Sequence, residues 1–307
     1  GYDNSLAHRT TWLRSDLTDV RCGSGAVLIR KNMAKLQGKK KVIVIIASVL
    51  VGFGLFALCG LMFAGYRFAW GPFYPLADHY FAKLPGNAEE YAVENVEPLE
   101  HSPLEGMDIA FLGSSVTLGA SAVRDSFADY IAVRNGADYV KDAVSATTLV
   151  EEGLNSYIAR LRKMDTERKF DLFVVQLSTN DASTSKPLGA VAGEGKEYDT
   201  HTVIGAIEYI RDYVEETWDI PVVFYTNAYY ESEQYADMVE ALKEVQAEYG
   251  EDKVGVIDLY TDKAFNEITE EQRKLYMADH IHPTRAGYLL WWTPKMEAYL
   301  YDHIADS

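Results

Sequence analysis

From residue 42 to residue 64 the chain reads VIVIIASVLVGFGLFALCGLMFA, without one charged side chain. At the rise of an α-helix such a stretch is about 34 Å long, enough to cross the hydrocarbon core of a bilayer. From Met107 onwards the pattern changes to short apolar runs separated by longer segments of helical period. MDIAFLG, a short run around Tyr139, FDLFVVQL, PVVFYTN and KVGVIDL read as five strands. Residues 125–134, 149–164, 203–218 and 232–249 read as helices between them, and a last helix follows Pro283. Runs that are apolar on successive residues suit strands covered on both faces, and strand alternating with helix argues for a parallel sheet. The expected fold class is therefore α/β: a three-layer α/β/α sandwich with a mostly parallel five-stranded sheet, preceded by one transmembrane helix.

Charge divides the chain at the same place. Residues 1–65 carry nine Lys/Arg against three Asp/Glu, whereas the remainder carries twenty against forty-three, so a basic start precedes a strongly acidic body. Arg30, Lys31, Lys35, Lys39, Lys40 and Lys41 flank the apolar stretch on one side only. By the positive-inside rule the N-terminus is expected in the cytoplasm and the acidic body outside, on a single-pass membrane protein. The competing reading is secretion after cleavage of a signal peptide starting at Met33, although this apolar region is longer than usual and lacks an A-x-A site. The expected organisation is a cytoplasmic tail without regular structure over residues 1–41, a signal-anchor over 42–65, a juxtamembrane stalk over 66–105 and a catalytic domain over 106–307. The stalk is rich in proline and aromatic residues, which suits an irregular segment or one lying against the domain. Residues 1–32 show no sustained period, and no function is assigned to them.

The same figures exclude several function classes. An acidic body without a Lys/Arg stripe repels phosphate backbones, so nucleic acid is not an expected partner. The only cysteines are Cys22 and Cys59, so the acidic body has neither a disulfide framework nor a thiolate metal site. Asp279, His280 and His282 invite a metal reading, but a zinc site needs three or four ligands and no spaced partner completes the set. No cofactor or metal is expected.

In an open parallel sheet, chemistry sits beyond the carboxyl ends of the strands. Directly after MDIAFL comes Gly113-Ser114-Ser115-Val116-Thr117-Leu118-Gly119, which places Ser115 on a tight turn at that edge. A serine hydroxyl needs a base, and an imidazole held in one tautomer by a carboxylate is the usual supplier. Asp279-His280-Ile281-His282-Pro283, after the fifth strand, offers both groups. Ser178-Thr179-Asn180-Asp181 follows FDLFVVQL, where an Asn amide could donate to an oxyanion. Each motif alone is also ordinary turn, cap or helix-start chemistry.

Together and in this order, over residues 108–301, they resemble the SGNH/GDSL hydrolases, whose segments are Gly-Asp-Ser, Gly-x-Asn-Asp and Asp-x-x-His. The resemblance implies an SGNH, flavodoxin-like form of the sandwich. It also implies Ser115 as nucleophile, His282 as general base, Asp279 as its orienting carboxylate, and an oxyanion hole from the Ser115 and Ala143 N–H groups with the Asn180 side chain. Three positions depart from the family pattern: Ser114 stands where Asp is usual, Ser178 where Gly is usual, and Ala143 where the second-segment Gly is expected.

The function expected on this basis is hydrolysis of short acyl esters, acetyl above all, on a small ester or an acylated glycan at the cell surface. Transfer of the acyl group to a surface glycan is the alternative that uses the same triad. A non-catalytic glycan- or partner-binding domain is the alternative from another class, motivated by Ser114 and Ser178. A lipase ranks behind these because residues 182–200 form a long Gly-, Ser- and Ala-rich connection without an amphipathic lid.

Overall fold

The computed structural model describes residues 22–68 and 71–305. The chain divides into two compact units, one ending at Gly60 and one starting at Leu61. Residues 1–21 of the expected tail lie outside the described residues.

Helix α1 (Cys22–Phe68) contains a span long and apolar enough to cross a membrane, by length and composition. Its start corrects the expectation of a tail without regular structure, because the helix continues back through the lysine-rich flank to Cys22. Ala, Leu, Lys, Arg, Gln and Met predominate between residues 26 and 41. These are good helix formers, and a helix nucleated in the apolar stretch propagates through them at little cost.

The second unit is built on five parallel strands: β1 (Asp108–Gly113), β2 (Asp138–Ala143), β3 (Leu172–Gln176), β4 (Val222–Tyr225) and β5 (Val254–Ile257). Their order is β2-β1-β3-β4-β5, and every neighbouring pair is parallel. All residues of β3 and β4 are buried, as the unbroken apolar runs require. Alternation across the pleat divides the core in two. Ala110, Leu112, Phe173, Val175 and Phe224 enter one apolar layer; Ile109, Phe111, Leu172, Val174 and Tyr225 enter the other.

Among the described residues eleven further α-helices and one interposed π turn follow these strands or lead into them. In chain order α2 is Pro75–Phe81, α3 Ser115–Leu118, α4 Phe127–Asn135, α5 Tyr157–Leu161 and α6 Thr179–Ser183. Then come α7 (Val203–Trp218), α8 (Glu233–Tyr249), α9 (Lys263–Asn266) and α10 (Glu270–Tyr276). The chain ends in α11 (Arg285–Gly287), a π turn (Tyr288–Trp292) and α12 (Thr293–Ala305). Ser232 caps α8 by accepting from the Tyr235 N–H (3.1 Å), and Thr269 with Gln272 forms a reciprocal capping box on α10.

One expected helix is mostly absent. Of residues 149–164 only Tyr157–Leu161 is helical. The N–H groups of Leu149 and Val150 are taken by the buried Asp181 carboxylate at 2.7 and 3.0 Å, which holds this stretch as a loop. The proline-rich segment after the apolar helix lies against the unit, the second of the two arrangements its composition suits. Ala92 and Asn87 are buried, and the Gly86 backbone meets Leu275 and Thr284 so closely that a Cβ there would collide with both.

Candidate active site

The turn after β1 is shaped by packing around a single glutamine. A Cβ on Gly113 would collide with the Thr117 side chain, so only glycine lets the strand turn there. Ser114 is wholly buried, and its N–H donates to Gln176 Oε1 at the end of β3 (2.8 Å). The Ser114 and Thr117 hydroxyls donate to the same oxygen at 3.2 and 2.9 Å. A carboxylate at position 114 could not make that donation, which gives serine a physical reason to stand where the family pattern has Asp. Ser115 then opens α3, and Gly119 closes it in the left-handed region with φ 74°.

The Asp279–His282 loop is a tight reversal between α10 and α11. The Ala278 N–H donates to the His282 carbonyl (2.9 Å), and the Thr284 N–H donates to the Tyr276 carbonyl (2.8 Å). Inside the loop Asp279 Oδ1 accepts from the N–H groups of Ile281 and His282, both at 2.8 Å. His282 Nδ1 lies 2.9 Å from Asp279 Oδ2, and His282 Nε2 lies 2.8 Å from Ser115 Oγ. Burial raises the affinity of the Asp279 carboxyl for its proton. The His282 side chain and the two loop N–H groups outweigh this and hold the group well below the ordinary carboxylate range. An ionised carboxylate only accepts, so Nδ1 carries the proton and Nε2 is left to accept from the Ser115 hydroxyl.

Asn180 follows β3 at the start of α6, and its side-chain amide donates to the Thr147 carbonyl (2.9 Å) while facing the cavity beside Ser115. Ser178 caps this short helix by accepting from the Asn180 N–H (3.2 Å). Ala143 does not reach the cavity. It ends β2 still in register with Gly113, and the next N–H, that of Val144, donates to the Gly113 carbonyl (3.2 Å). The wall begins with Ser145 and Ala146, and Ala146 has φ 61°, a conformation that favours glycine. The alanine that borders the cavity is therefore Ala146, three residues beyond Ala143. The ladder holds Ala143 within the sheet, and the turn comes only after it ends.

Three supporting residues had no role assigned to them from the sequence. Arg160, buried, donates to the carbonyls of Gly113 and Asp142 at 2.7 and 2.6 Å, tying the ends of β1 and β2 together. Asp181 fixes the loop after β2 as described above, and burial pushes its pKa up against the backbone N–H groups that it accepts from. Gln176 is the third. Gln176→Leu removes the acceptor for two buried N–H groups and two buried hydroxyls, and we expect a loss of about 3 kcal/mol, read as a lower midpoint in denaturant unfolding. An unchanged midpoint would mean that water replaces the amide. Apart from its position in an apolar strand, no sequence signal distinguishes this glutamine.

Ser115, Asp279, His282 and Asn180 line one cavity of about 270 Å³ with Ser145, Ala146, Ile281 and Phe81. His280 points elsewhere: its ring lies 6.2 Å from that of Tyr230, in a separate pocket with Arg273 and Lys274. Among the described residues no group of three or more His, Cys, Asp and Glu side chains could hold a metal ion.

Solved structures show the same architecture. A Lactobacillus plantarum protein is 20% identical with a TM-score of 0.55, covering 65% of this chain and 98% of its own. A Bacteroides ovatus protein described as a GDSL-like lipase is 16% identical (TM-score 0.49; 64% and 99% covered). A family two carbohydrate esterase from Clostridium thermocellum, solved with cellohexaose, is 16% identical (TM-score 0.45; 68% and 66% covered). At these identities the likeness is one of fold alone. None of the curated proteins compared matches the chain. The sequence itself is more specific: the model of the GDSL-like lipase/acylhydrolase family matches residues 111–290, well over half of the chain, and the protein belongs to that family.

Proposed function

We propose that this protein is a serine esterase that removes short acyl groups, acetyl above all, from carbohydrate outside the cytoplasmic membrane. The observation that carries the reading is the unbroken relay from Asp279 through His282 to Ser115, at 2.9 and 2.8 Å, opening on one small cavity. Ser115 Oγ attacks the ester carbonyl carbon while His282 Nε2 takes its proton. Negative charge grows on the carbonyl oxygen, where the Ser115 N–H, the Ala146 N–H and the Asn180 amide are its donors. Ala146 takes the part first expected of Ala143. The tetrahedral species collapses, and His282 returns the proton to the departing alcohol. Water, deprotonated by the same imidazole, then attacks the acyl-serine carbonyl, and His282 returns that proton to Ser115 Oγ as the carboxylic acid leaves.

Size supports a short acyl group. A space of about 270 Å³ lies below the usual range for drug-sized ligands. In this reading the acyl group occupies the cavity and the alcohol projects past the exposed Asp279. The apolar span of α1 with its lysine-rich N-terminal flank supports a signal-anchor with the catalytic unit outside.

The test uses the full chain in detergent with acetylated xylan, chitin and peptidoglycan fragments, measuring released acetate against a Ser115→Ala control. Ser115-dependent release from at least one glycan is the expected result. Release from p-nitrophenyl acetate but from no glycan would refute the carbohydrate assignment. Release that falls when a glycan acceptor is added, with the acceptor becoming acetylated, would identify a transferase instead.

A further inference from the structure

Among the described residues Phe81 is the one residue of the cavity wall that comes from before the stretch matched by the family model. It ends α2, in the segment that follows the apolar helix, and three independent sets of contacts hold it there. Ala77 of α2 packs on Ala120, with Phe81 and Leu118 against them, so α2 rests on the end of the helix that Ser115 opens. The buried Asn87 side chain donates to the carbonyls of Phe81 and Ser121, both at 2.8 Å, and its Oδ1 accepts from the Arg285 N–H at 2.8 Å. One amide thus joins α2, the Ser121 wall and the helix that follows His282. Asp78 also pairs with Arg124 at 3.4 Å.

We infer that Phe81 is a specificity-determining residue, and that the segment between the apolar helix and the sheet closes the acyl pocket and limits the length of the acyl group. The inference rests on the esterase reading above. The physical argument is steric. Phe81 lines a cavity whose other walls are turns at the sheet edge, braced by Gln176, Arg160 and Asp181, and the hydrogen-bonded Asp279–His282 loop, whereas Phe81 is a single bulky side chain on a short helix. Removing its ring lengthens the cavity by roughly the space of several methylenes; enlarging it shortens the cavity.

The experiment compares kcat/KM for p-nitrophenyl acetate, butyrate and hexanoate with the full chain in detergent, alongside Phe81→Ala, Phe81→Trp and Ser115→Ala. A constant leaving group makes acyl length the only variable. One or more methylenes in an apolar pocket change discrimination by about tenfold or more. We therefore expect Phe81→Ala to raise the hexanoate-to-acetate ratio about tenfold and Phe81→Trp to lower the butyrate-to-acetate ratio by a similar factor. If Phe81→Ala lacks a cooperative unfolding transition, Phe81→Trp carries the test. Ratios unchanged in the folded variants, with hydrolysis still dependent on Ser115, would overturn the role of Phe81 and leave the esterase standing. No Ser115-dependent hydrolysis of any ester by the unmodified chain would remove the esterase reading, and this inference with it.

Discussion

Ser115→Ala is expected to lower kcat for p-nitrophenyl acetate by at least about 10⁴-fold, because among the described residues its hydroxyl is the one bonded to the His282 imidazole. His282→Ala should cost a similar factor, and the double variant little more, since nucleophile and base act as one unit. Folding should be spared in Ser115→Ala. The Ser115 hydroxyl bonds to His282 at 2.8 Å, and the small hydroxyl-to-hydrogen change leaves the Gln176 contacts of Ser114 and Thr117 in place. The measurement is steady-state hydrolysis beside a thermal melt. Activity above about one hundredth of the unmodified rate, in a variant that melts normally, would show that a different group performs the attack. Labelling by a fluorophosphonate should disappear in both single variants, which separates loss of nucleophilic serine from loss of ester binding.

Asp279→Asn should lower kcat by about 10³- to 10⁴-fold with the loop intact, as replacement of the buried carboxylate does in serine proteases. The remaining amide oxygen can still accept from the Ile281 and His282 N–H groups that Asp279 Oδ1 serves at 2.8 Å. The amide nitrogen, however, donates toward Nδ1 and favours the tautomer whose Nε2 carries the proton. That imidazole cannot take the proton of Ser115. The same substitution should alter the acid response of stability. Because the Asp279 carboxyl is held below its ordinary value of 3.8, its contribution is complete above that pH and is lost as acid carries the pH down toward the folded value. Below about pH 4 the melting temperature of the unmodified chain should therefore fall more steeply than that of Asp279→Asn. Parallel slopes would mean that the carboxylate is not held in this way. Retention of more than about a tenth of kcat would mean that Asp279 does not set the tautomer.

Much of this molecule is legible in one dimension, and the reason is that the signals are local. Every residue of FDLFVVQL between Phe170 and Leu177, Asp171 apart, is buried, so an unbroken apolar run could be placed in the sheet directly. Residues 203–218 carry a helical period and a Thr at position 202 to cap it, and α7 has those bounds. Asp279 and His282 are close in sequence, so a three-residue loop already puts one against the other. Their approach to Ser115 followed from a general rule about strand ends.

Where the reading stopped short, the deciding contact comes from a distant part of the chain. Residues 149–156 have the composition of a helix, but their leading N–H groups are bound by Asp181, thirty-two residues from Leu149. Ala143 and Ala146 are indistinguishable as alanines, and only the end of the sheet ladder with the positive φ at residue 146 tells which one borders the cavity. Gln176 is one polar residue in an apolar strand until Ser114 and Thr117 are folded onto it. Phe81 belongs to a segment whose composition left open an irregular stalk or one lying against the domain, and Asn87, reaching across to Arg285, helps to hold it at the site. The sequence by itself thus determined the elements, their alternation, the apolar span and the chemical groups of the relay, because period, capping and short spacing are properties of neighbouring residues. The tertiary structure alone decided which residues line the cavity and which buried side chains hold the turns. Those depend on polar groups finding partners across the fold, and a buried amide or carboxylate without its distant partner would cost more than its local preferences supply.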